Sequence, residues 1–320
     1  LAVWDADQTQ TSRRLVDAFV ASGYFRVDRL TRYPAATNAL QTGDARAILA
    51  IPRGFAGDLA AGRPAPLQLL VDGSDANTAT IAIEYARGIT SAFSRRATLN
   101  GREIRPAVVP ASRVWYNPSL ESRNMVVPGL VAVILSILAA LLTALTIARE
   151  WERGTMEQLV STPVTRLEIV TGKLLPYLAI GLFDVLLAVG IGTALFGVPF
   201  RGNLGLLVAM TFVFLLAALG FGMFLSAALK SQVLATQFAM VATYLPALLL
   251  SGFIYAIANM PRALQLATYL FPARYYVTIT TAIFLKGVGI DVLWRQGLAL
   301  VALAAAAIAA TVAVFRKEVA

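Results

Sequence analysis

A single acidic residue, Asp184, interrupts an otherwise uncharged stretch that runs from Leu174 to Phe200. A carboxylate inside an apolar membrane helix is energetically costly, so such residues commonly face a bundle interior and serve a function. Asp184 could hold a proton or a cation, or it could be a protonated or hydrogen-bonded packing residue. The residue type alone leaves both interpretations open.

A later uncharged stretch carries polar side chains that could line a path for a transported molecule. They are Gln237, Thr243 and Tyr244, with Thr236 beside them. Hydrogen bonds between neighbouring membrane helices explain the same residues equally well. Gln237, Thr243, Tyr244 and Asp184 form the candidate translocation path.

Residues 149–173 form a charge-dense segment between two apolar stretches, with four basic and four acidic residues. A short helix is predicted over Thr155–Val160, Thr162-Pro163 should end it, and a second helix should begin over Thr165–Val170. A short amphipathic helix at a membrane face can anchor to lipid or dock onto a protein. The near-zero net charge disfavours anionic lipid as the main partner.

Two acidic clusters in the amino-terminal part could in principle hold a metal or a phosphate. Asp5 and Asp7 precede Thr9 and Ser12, and this pattern favours a strand end followed by a helix cap. Residues 72–75, Asp-Gly-Ser-Asp, predict a turn into a helix, because the spaced oxygen ligands of a calcium loop do not follow. Neither cluster is therefore predicted to bind a metal.

The composition excludes most catalytic chemistry. The 320 residues include no His and no Cys, which rules out His-dependent nucleophiles, zinc sites of the usual ligands, haem and iron–sulfur sites, and disulfides. The formal charge of +9 comes from basic residues spread along the chain, which does not indicate nucleic-acid binding. We expect no catalytic residue, no metal and no cofactor in this chain.

The elements that position these residues are predicted to be membrane helices. Hydrophobic residues make up 58% of the chain, charged residues 14%, and the mean hydropathy is +0.70, as in integral membrane proteins. A helix needs about 20 apolar residues to cross the hydrocarbon. Five stretches are predicted to span: Met125–Ala148, Leu174–Phe200, Gly202–Leu229, Ser231–Pro261 and Gln296–Phe315.

Two segments before the last span are predicted to stay at the membrane surface. Tyr255–Pro272 mixes polar residues and prolines with apolar ones, which favours a short helical excursion. Tyr275–Leu285 is uncharged but only 11 residues long, so it should be interfacial or re-entrant.

Residues 1–124 predict a small α/β domain, and residues 125–320 predict the α-helical transmembrane domain. Strand-like and helix-like patterns alternate as far as Asn117. The predicted strands are Leu1–Trp4, Phe25–Leu30, Ala47–Ile51, Pro66–Val71 and Ala107–Val114, and the predicted helices are Thr11–Ser22, Ala35–Thr42 and Thr78–Leu99. Without His, a binding or docking role is left for this domain.

The distribution of Lys and Arg predicts the orientation in the membrane. Basic residues lie in loop 149–173, at Lys230 and at Arg316 and Lys317, so these parts are expected to be cytoplasmic, although the opposite loops also carry Arg. Five spans place the chain ends on opposite sides, which makes residues 1–124 extracytoplasmic. A translocated domain needs a segment to carry it across, so a sixth span is expected before Leu1.

Several motifs resemble the permease subunits of type 2 ABC exporters, above all the bacterial multidrug-efflux permeases with a large periplasmic domain. The most specific is the Gly-Thr-Met-Glu-Gln-Leu block at residues 154–159, between the first two spans. Span order and domain placement agree over essentially the whole chain. The other matching motifs are Tyr116-Asn117-Pro118, residues 122–130, residues 142–153, Thr162-Pro163-Val164, Gly172-Lys173, Pro176-Tyr177 and residues 271–275.

The resemblance implies a half-transporter of the bacterial inner membrane, in which two permeases, identical or sister chains, form the pathway and separate ATPase subunits drive it. Residues 149–173 would be the coupling helix and its flanks. The implied ATPase contact consists of Glu150, Glu152, Gly154, Thr155, Met156, Glu157, Gln158 and Pro163. ATP and magnesium would bind to the partner alone, since Gly172-Lys173 lacks the earlier Gly of a phosphate-binding loop. A periplasmic adaptor and membrane lipid are further expected partners.

The expected function is ATP-driven export of a hydrophobic or amphiphilic molecule, drug-like or lipid-like. Two alternatives stay open. The first is a proton-coupled secondary carrier that uses Asp184, which transport persisting after ATP depletion would favour. The second is a membrane-anchored binding or sensory protein, which the lack of an ATPase partner would favour.

Overall fold

The structure, a computed structural model, describes residues 1–97, 108–156, 158 and 162–314. The chain divides into two compact units, Leu1–Met125 and Val126–Ala320. The predicted helix end at Leu99 and strand start at Ala107 lie outside the described residues, as does part of the short helix predicted after Gly154.

Five strands form one sheet in the first unit: β1 (Ala2–Asp5), β2 (Asp28–Leu30), β3 (Ala47–Ile51), β4 (Ala65–Asp72) and β5 (Val108–Trp115). Their order is β2-β1-β3-β4-β5, and every neighbouring pair is parallel except β3 and β4. All five residues of β3 are buried, as an apolar run without alternation predicts.

The helices of the first unit are α1 (Gln10–Ala21), α2 (Tyr33–Thr42), α3 (Phe55–Ala60) and α4 (Ala76–Ala97). Leu49 of β3 packs in one cluster with Phe19, and Ile48 packs in another with Leu40, so helices cover both faces of the sheet. The strands and helices expected from the sequence are present. The helix α3 was not expected, because six residues are too few to show a helical period.

The carboxylates of Asp5 and Asp7 accept hydrogen bonds from other residues of the first unit. Asp5 Oδ2 accepts from the hydroxyl of Ser12, which belongs to the capping box that begins α1, at 2.7 Å. Asp7 accepts from the backbone N–H groups of Gly54 and Ala56 at 2.8 and 3.1 Å. These bonds agree with the capping interpretation of the cluster.

Asn117 organises the chain that follows β5. Its side chain is buried, Oδ1 accepts from Asn124 Nδ2 at 2.8 Å, and Nδ2 donates to the Glu121 carbonyl oxygen at 3.0 Å. Burial of the neighbouring Tyr116, with Asp72 nearby, raises the pKa of its phenol to about 12. The phenol therefore stays neutral at physiological pH.

The second unit is helical. Its helices are α5 (Ser122–Glu152), α6 (Arg166–Ala194), α7 (Leu204–Leu229), α8 (Gln232–Leu249), α9 (Arg262–Ala267), α10 (Pro272–Thr281) and α11 (Ile290–Val314). Within the described residues, five of them, α5 to α8 and α11, are long and apolar enough to cross a membrane. The predicted number of spans is thereby confirmed.

The fourth span is shorter than the sequence predicts. The uncharged stretch runs on to Pro261, but α8 ends at Leu249, and Gly252 then turns the chain with a left-handed φ of +86°. Short helical turns follow at Ile257–Asn259 and Thr268–Leu270, on either side of α9. The expected short helical excursion before the last span is therefore present.

The helices α5 and α7 approach each other too closely for a side chain at Gly222. A Cβ atom at that position would lie 2.3 Å from the carbonyl oxygen of Ala140. Farther along the same pair, Ser226 Oγ accepts from the N–H groups of Ile147 and Ala148 at 3.0 and 2.9 Å. These contacts fix the last turns of α5 against α7.

Candidate functional site

The last three residues of α5 contact three different segments of the second unit. Glu150, Trp151 and Glu152 are consecutive, so their side chains point in different directions around the helix. Because they directly precede the segment predicted to dock a partner, their contacts decide what that segment is attached to.

Glu150 forms an ion pair with Lys173 of α6, with 2.5 Å between Oε1 and Nζ. The side chains are 24% and 19% exposed, respectively, so water screens this pair less than it screens a surface pair. Thr165 and Glu168 form a capping box that fixes where α6 begins. The pair thereby ties the end of α5 to the first turns of α6.

Glu152 caps α8 from outside that helix. Its carboxylate accepts from the backbone N–H of Gln232 at 2.7 Å and from the Gln232 side-chain amide at 2.5 Å. A backbone N–H in the first turn has no partner within its own helix, and negative charge at a helix N-terminus is favourable. Glu152 therefore fixes the N-terminus of α8 next to the end of α5.

A two-residue joint connects α7 to α8 beside this contact. After Leu229, Lys230 adopts the left-handed conformation with φ 52°, and Ser231 precedes α8. The Lys230 ammonium group lies 4.2 Å from the centroid of the Trp151 ring, close enough for a cation–π interaction. The joint is therefore held by α5 at two adjacent points.

The residues that follow α5 differ in exposure. Gly154 adopts a left-handed φ of +72°, and Met156 is only 2% exposed, so it anchors the segment inside the chain. Glu157 lies outside the described residues. The exposed members of the predicted contact include Gly154, Thr155, Gln158 and Pro163.

The motif resemblance assigns eight residues to one ATPase contact, but in the structure these residues have different surroundings. Glu150 and Glu152 are engaged with other parts of the chain, although Glu152 is also exposed, and Met156 is buried. Gly154, Thr155, Gln158 and Pro163 are exposed and accessible to a partner. The contact with an ATPase stays a prediction for all eight.

Asp184 lies half-buried on α6, in a narrow crevice against α5 and α7. Leu138 and Leu142 of α5, Leu215 of α7 and Tyr177 of α6 help to line it. In the part of the chain that the structure describes, Asp184 has no hydrogen-bond or ion-pair partner. A hydrogen-bonded packing role therefore gains no support there, and a proton or cation site stays a prediction.

Gln237 and Tyr244 lie seven residues apart on α8 and share its exposed face. Thr243 is half-buried, and its hydroxyl donates to the Ala239 carbonyl oxygen at 2.6 Å. Immediately beyond Tyr244, the last turns of α8, the chain before α9 and the start of α9 line an open apolar cavity of about 470 Å³. Its lining includes Leu245, Leu249, Leu250, Tyr255, Met260 and Leu264.

The four candidate path residues do not share one cavity. The crevice at Asp184 is lined by α5, α6 and α7, whereas Gln237 and Tyr244 lie on α8. Sequence reasoning also missed the apolar cavity and the contacts of Lys173, Lys230 and Gln232. Gly252 was the available signal for the cavity, since it predicts a turn that brings the following residues back toward α8.

Comparison with known proteins decides the family. The sequence profile described as ABC-2 family transporter protein matches residues 1–316. The chain belongs to the ABC-2 family of transporter permeases. This confirms the resemblance read from the motifs.

The relatives of the permease are transport proteins. The probable multidrug ABC transporter permease YbhS of Escherichia coli K12 is 37% identical over 288 residues, covering 89% of this chain and 74% of YbhS. YbhR of the same strain, also named a probable multidrug ABC transporter permease, is 32% identical over 323 residues, with coverage of 100% and 86%. The inner membrane transport permease YhhJ is 28% identical over 327 residues, with coverage of 100% and 85%.

The permease is thus a multi-pass membrane protein of a transporter family, and the exposed segment after α5 lies between its first two spans. The N-terminal end of α8 meets the permease's α5, and the other end of α8 borders the apolar cavity. The candidate docking segment is the exposed segment after α5, which includes Gly154, Thr155, Gln158 and Pro163. This segment and the apolar cavity therefore lie toward opposite ends of α8.

Proposed function

We propose that the permease is the membrane-spanning subunit of an ATP-driven exporter that moves a hydrophobic or amphiphilic molecule, drug-like or lipid-like, out of the cytoplasm or inner membrane. A separate ATPase subunit binds ATP and magnesium, and a second permease, identical or sister, completes the pathway. The multidrug names of YbhS and YbhR support a drug-like cargo.

The observation that carries this proposal is the exposed segment that follows α5. Gly154, Thr155, Gln158 and Pro163 are accessible, and the helix end before them is tied to α6 by Glu150 and to α8 by Glu152. A partner that pushes on such a segment acts on the spans, because the segment follows directly on a helix end that is bonded to two other spans. Glu157, which carries the charge in the middle of the segment, completes the proposed contact.

The cavity at the end of α8 supports an apolar cargo. Its walls are almost wholly aliphatic and aromatic, with Asn259 and the Tyr255 hydroxyl as polar groups that could orient an amphiphile. Gln237 and Tyr244 add two polar side chains to the exposed face of α8 that leads to the cavity. This arrangement suits a largely apolar molecule with a small polar part.

The orientation belongs to the same proposal. Basic residues in the 149–173 segment and at Lys230 favour a cytoplasmic location for these loops, which places residues 1–124 in the periplasm. The α/β unit would there meet a periplasmic adaptor or the second permease.

Purification of tagged permease from its native membrane tests the proposal. An ATPase with a phosphate-binding loop should co-purify, and Glu157→Arg should reduce its recovery. Recovery of the permease without any ATPase would favour the membrane-anchored binding protein instead.

A proton-coupled carrier is the second candidate, because Asp184 is a half-buried carboxyl group without a partner among the described residues. The two functions differ in their energy source. Export that stops on ATP depletion while the proton gradient is held supports the exporter.

A further inference from the structure

The helix α8 packs against α5 through small residues and leaves its larger apolar side chains exposed. Its buried residues are few and small, with Ala235, Ala239, Pro246 and Ala247 facing the rest of the unit. Larger apolar side chains such as Phe238 and Val241 are more than half exposed. Ala235 and Ala239 cluster with Ala144 and Ala148 of α5, and Ala247 lies in a cluster with Val133 of α5, so small residues hold α8 close to α5.

The N-terminal end of α8 is attached to α5 by polar contacts. Glu152 accepts two hydrogen bonds from Gln232, one of them from the backbone, and Lys230 in the joint lies over the Trp151 ring. A carboxylate that receives two N–H donors is a directional, charge-assisted contact. Movement at the end of α5 must therefore carry the N-terminus of α8 with it, unless this contact breaks.

The other end of α8 borders the apolar cavity. The 18 residues of the helix correspond to about 27 Å, so α8 connects the docking side of the permease to the cavity at Leu245 and Leu249. Movement of the first turn of α8 is passed along the helix as far as Leu245, next to Pro246, which interrupts the helical hydrogen bonds beside the cavity. The width of the cavity would then depend on the position of Gln232.

We propose that Glu152 is a positioning residue that transmits movement of the docking segment to α8, and that it does not itself contact the ATPase. Trp151 supports this role by holding Lys230, the residue on which the joint turns. The inference rests on the proposed function, since it requires an ATPase that moves the segment after α5. It changes the role of Glu152 from external contact to internal connection.

Two single variants of Glu152 distinguish an internal connection to α8 from a direct contact with the ATPase. Glu152→Ala removes both hydrogen bonds, whereas Glu152→Gln keeps an oxygen that accepts from the Gln232 backbone N–H. If Glu152 connects the docking segment to α8, the Glu152→Ala permease should bind the ATPase normally but no longer stimulate its ATP hydrolysis. The Glu152→Gln permease should retain most of the stimulation. Loss of ATPase binding in both variants would show that the charge of Glu152 is an ATPase contact.

A reversible cross-link gives the sharper test, because the chain contains no Cys. Glu152→Cys combined with Gln232→Cys removes the native contact, and a short bis-methanethiosulfonate reagent replaces it with a covalent bridge. The matched control pair is Glu84→Cys with Gly88→Cys, one turn apart on the exposed face of α4. All forms are measured as complete permease–ATPase complexes in liposomes.

If Glu152 acts through its bond to Gln232, the cross-link should restore what the two substitutions remove. Stimulation should be lost in the Glu152→Cys, Gln232→Cys variant, return after cross-linking and disappear again with reductant, while the control pair stays at the wild-type level throughout. Wild-type stimulation before cross-linking, or no recovery after it, would overturn the inference. If the wild-type permease itself fails to stimulate the ATPase, the proposed function fails, and the inference with it.

Discussion

At the scale of single residues, buried polar side chains give the clearest expectations. Asn117 is 1% exposed, and its amide accepts a hydrogen bond from Asn124 Nδ2 and donates one to the Glu121 carbonyl oxygen. Removing one member of such a network leaves buried donors and acceptors without partners, which costs more than the lost bond itself. The motif around Asn117 is therefore expected to matter for stability more than for transport.

Asn117→Ala should lower the stability of the first unit by about 1–3 kcal/mol. The measurement is the thermal unfolding midpoint of the detergent-purified permease. Asn38→Ala, at an exposed position on α2, is the matched control and should leave the midpoint unchanged. Equal midpoints for both variants would mean that the network does not stabilise the fold.

Asp184→Asn should leave ATP-driven export intact, because an amide has the shape of the carboxyl group and ATP supplies the energy. Export and its pH profile are measured in vesicles, with Asp291→Asn on α11 as the control. Loss of export in Asp184→Asn alone would favour a proton-coupled pathway through the crevice between α5, α6 and α7.

At the scale of elements, close helix contacts make small residues decisive. Gly222→Ala should destabilise the permease by about 1–3 kcal/mol, because the added Cβ would meet the Ala140 carbonyl oxygen and push α7 away from α5. Gly190→Ala on α6 is the control, since a Cβ there meets no atom within 4 Å. The measurement is again the thermal unfolding midpoint. A smaller decrease in the midpoint for Gly222→Ala than for Gly190→Ala would refute the close packing of α5 and α7.

The docking segment supplies the second prediction at this scale. Glu157→Arg should preserve expression and membrane insertion while lowering the amount of ATPase that co-purifies, because it reverses the charge in the middle of the proposed contact. The control is Glu84→Arg, which makes the same charge change at an exposed position of α4 and should leave the recovery of the ATPase unchanged. Undiminished recovery of the ATPase with Glu157→Arg would remove residue 157 from the contact.

Much of the element order could be predicted from the sequence. The five spans follow from long uncharged stretches, and the start of α6 follows from the capping pattern of Thr165 and Glu168. The end of α8 could not be predicted, because hydropathy continues past Leu249 and the chain turns at Gly252, three residues beyond the helix end. Local patterns report local structure, and this turn also depends on the contacts around it.

The candidate site was only partly predictable for a related reason. The charge density of residues 149–173 marked the segment, but Glu150 pairs with Lys173 and Glu152 with Gln232, 23 and 80 positions away along the chain. Such pairings are set by the packing of α5, α6 and α8. An acidic residue that is available to a partner protein and one that is already bonded to a distant residue of its own chain look alike in a sequence.

At the scale of the whole molecule, the described residues of the permease include five long apolar helices, the proposed docking segment and an apolar cavity, and the chain belongs to a transporter family. The relatives YbhS and YbhR match it over most of their length, so the comparison covers both units. In the proposed function, a separate ATPase supplies the energy and this architecture supplies the path.

Uptake into inside-out vesicles tests the central claim most directly. The vesicles contain the permease with its co-purified ATPase, and the probes are a fluorescent cationic dye and a fluorescent phospholipid analogue. The account predicts uptake of at least one probe when ATP is added, even with the proton gradient collapsed, and none with vanadate. Uptake that follows the proton gradient without ATP, or no ATP-dependent uptake of either probe, would contradict it.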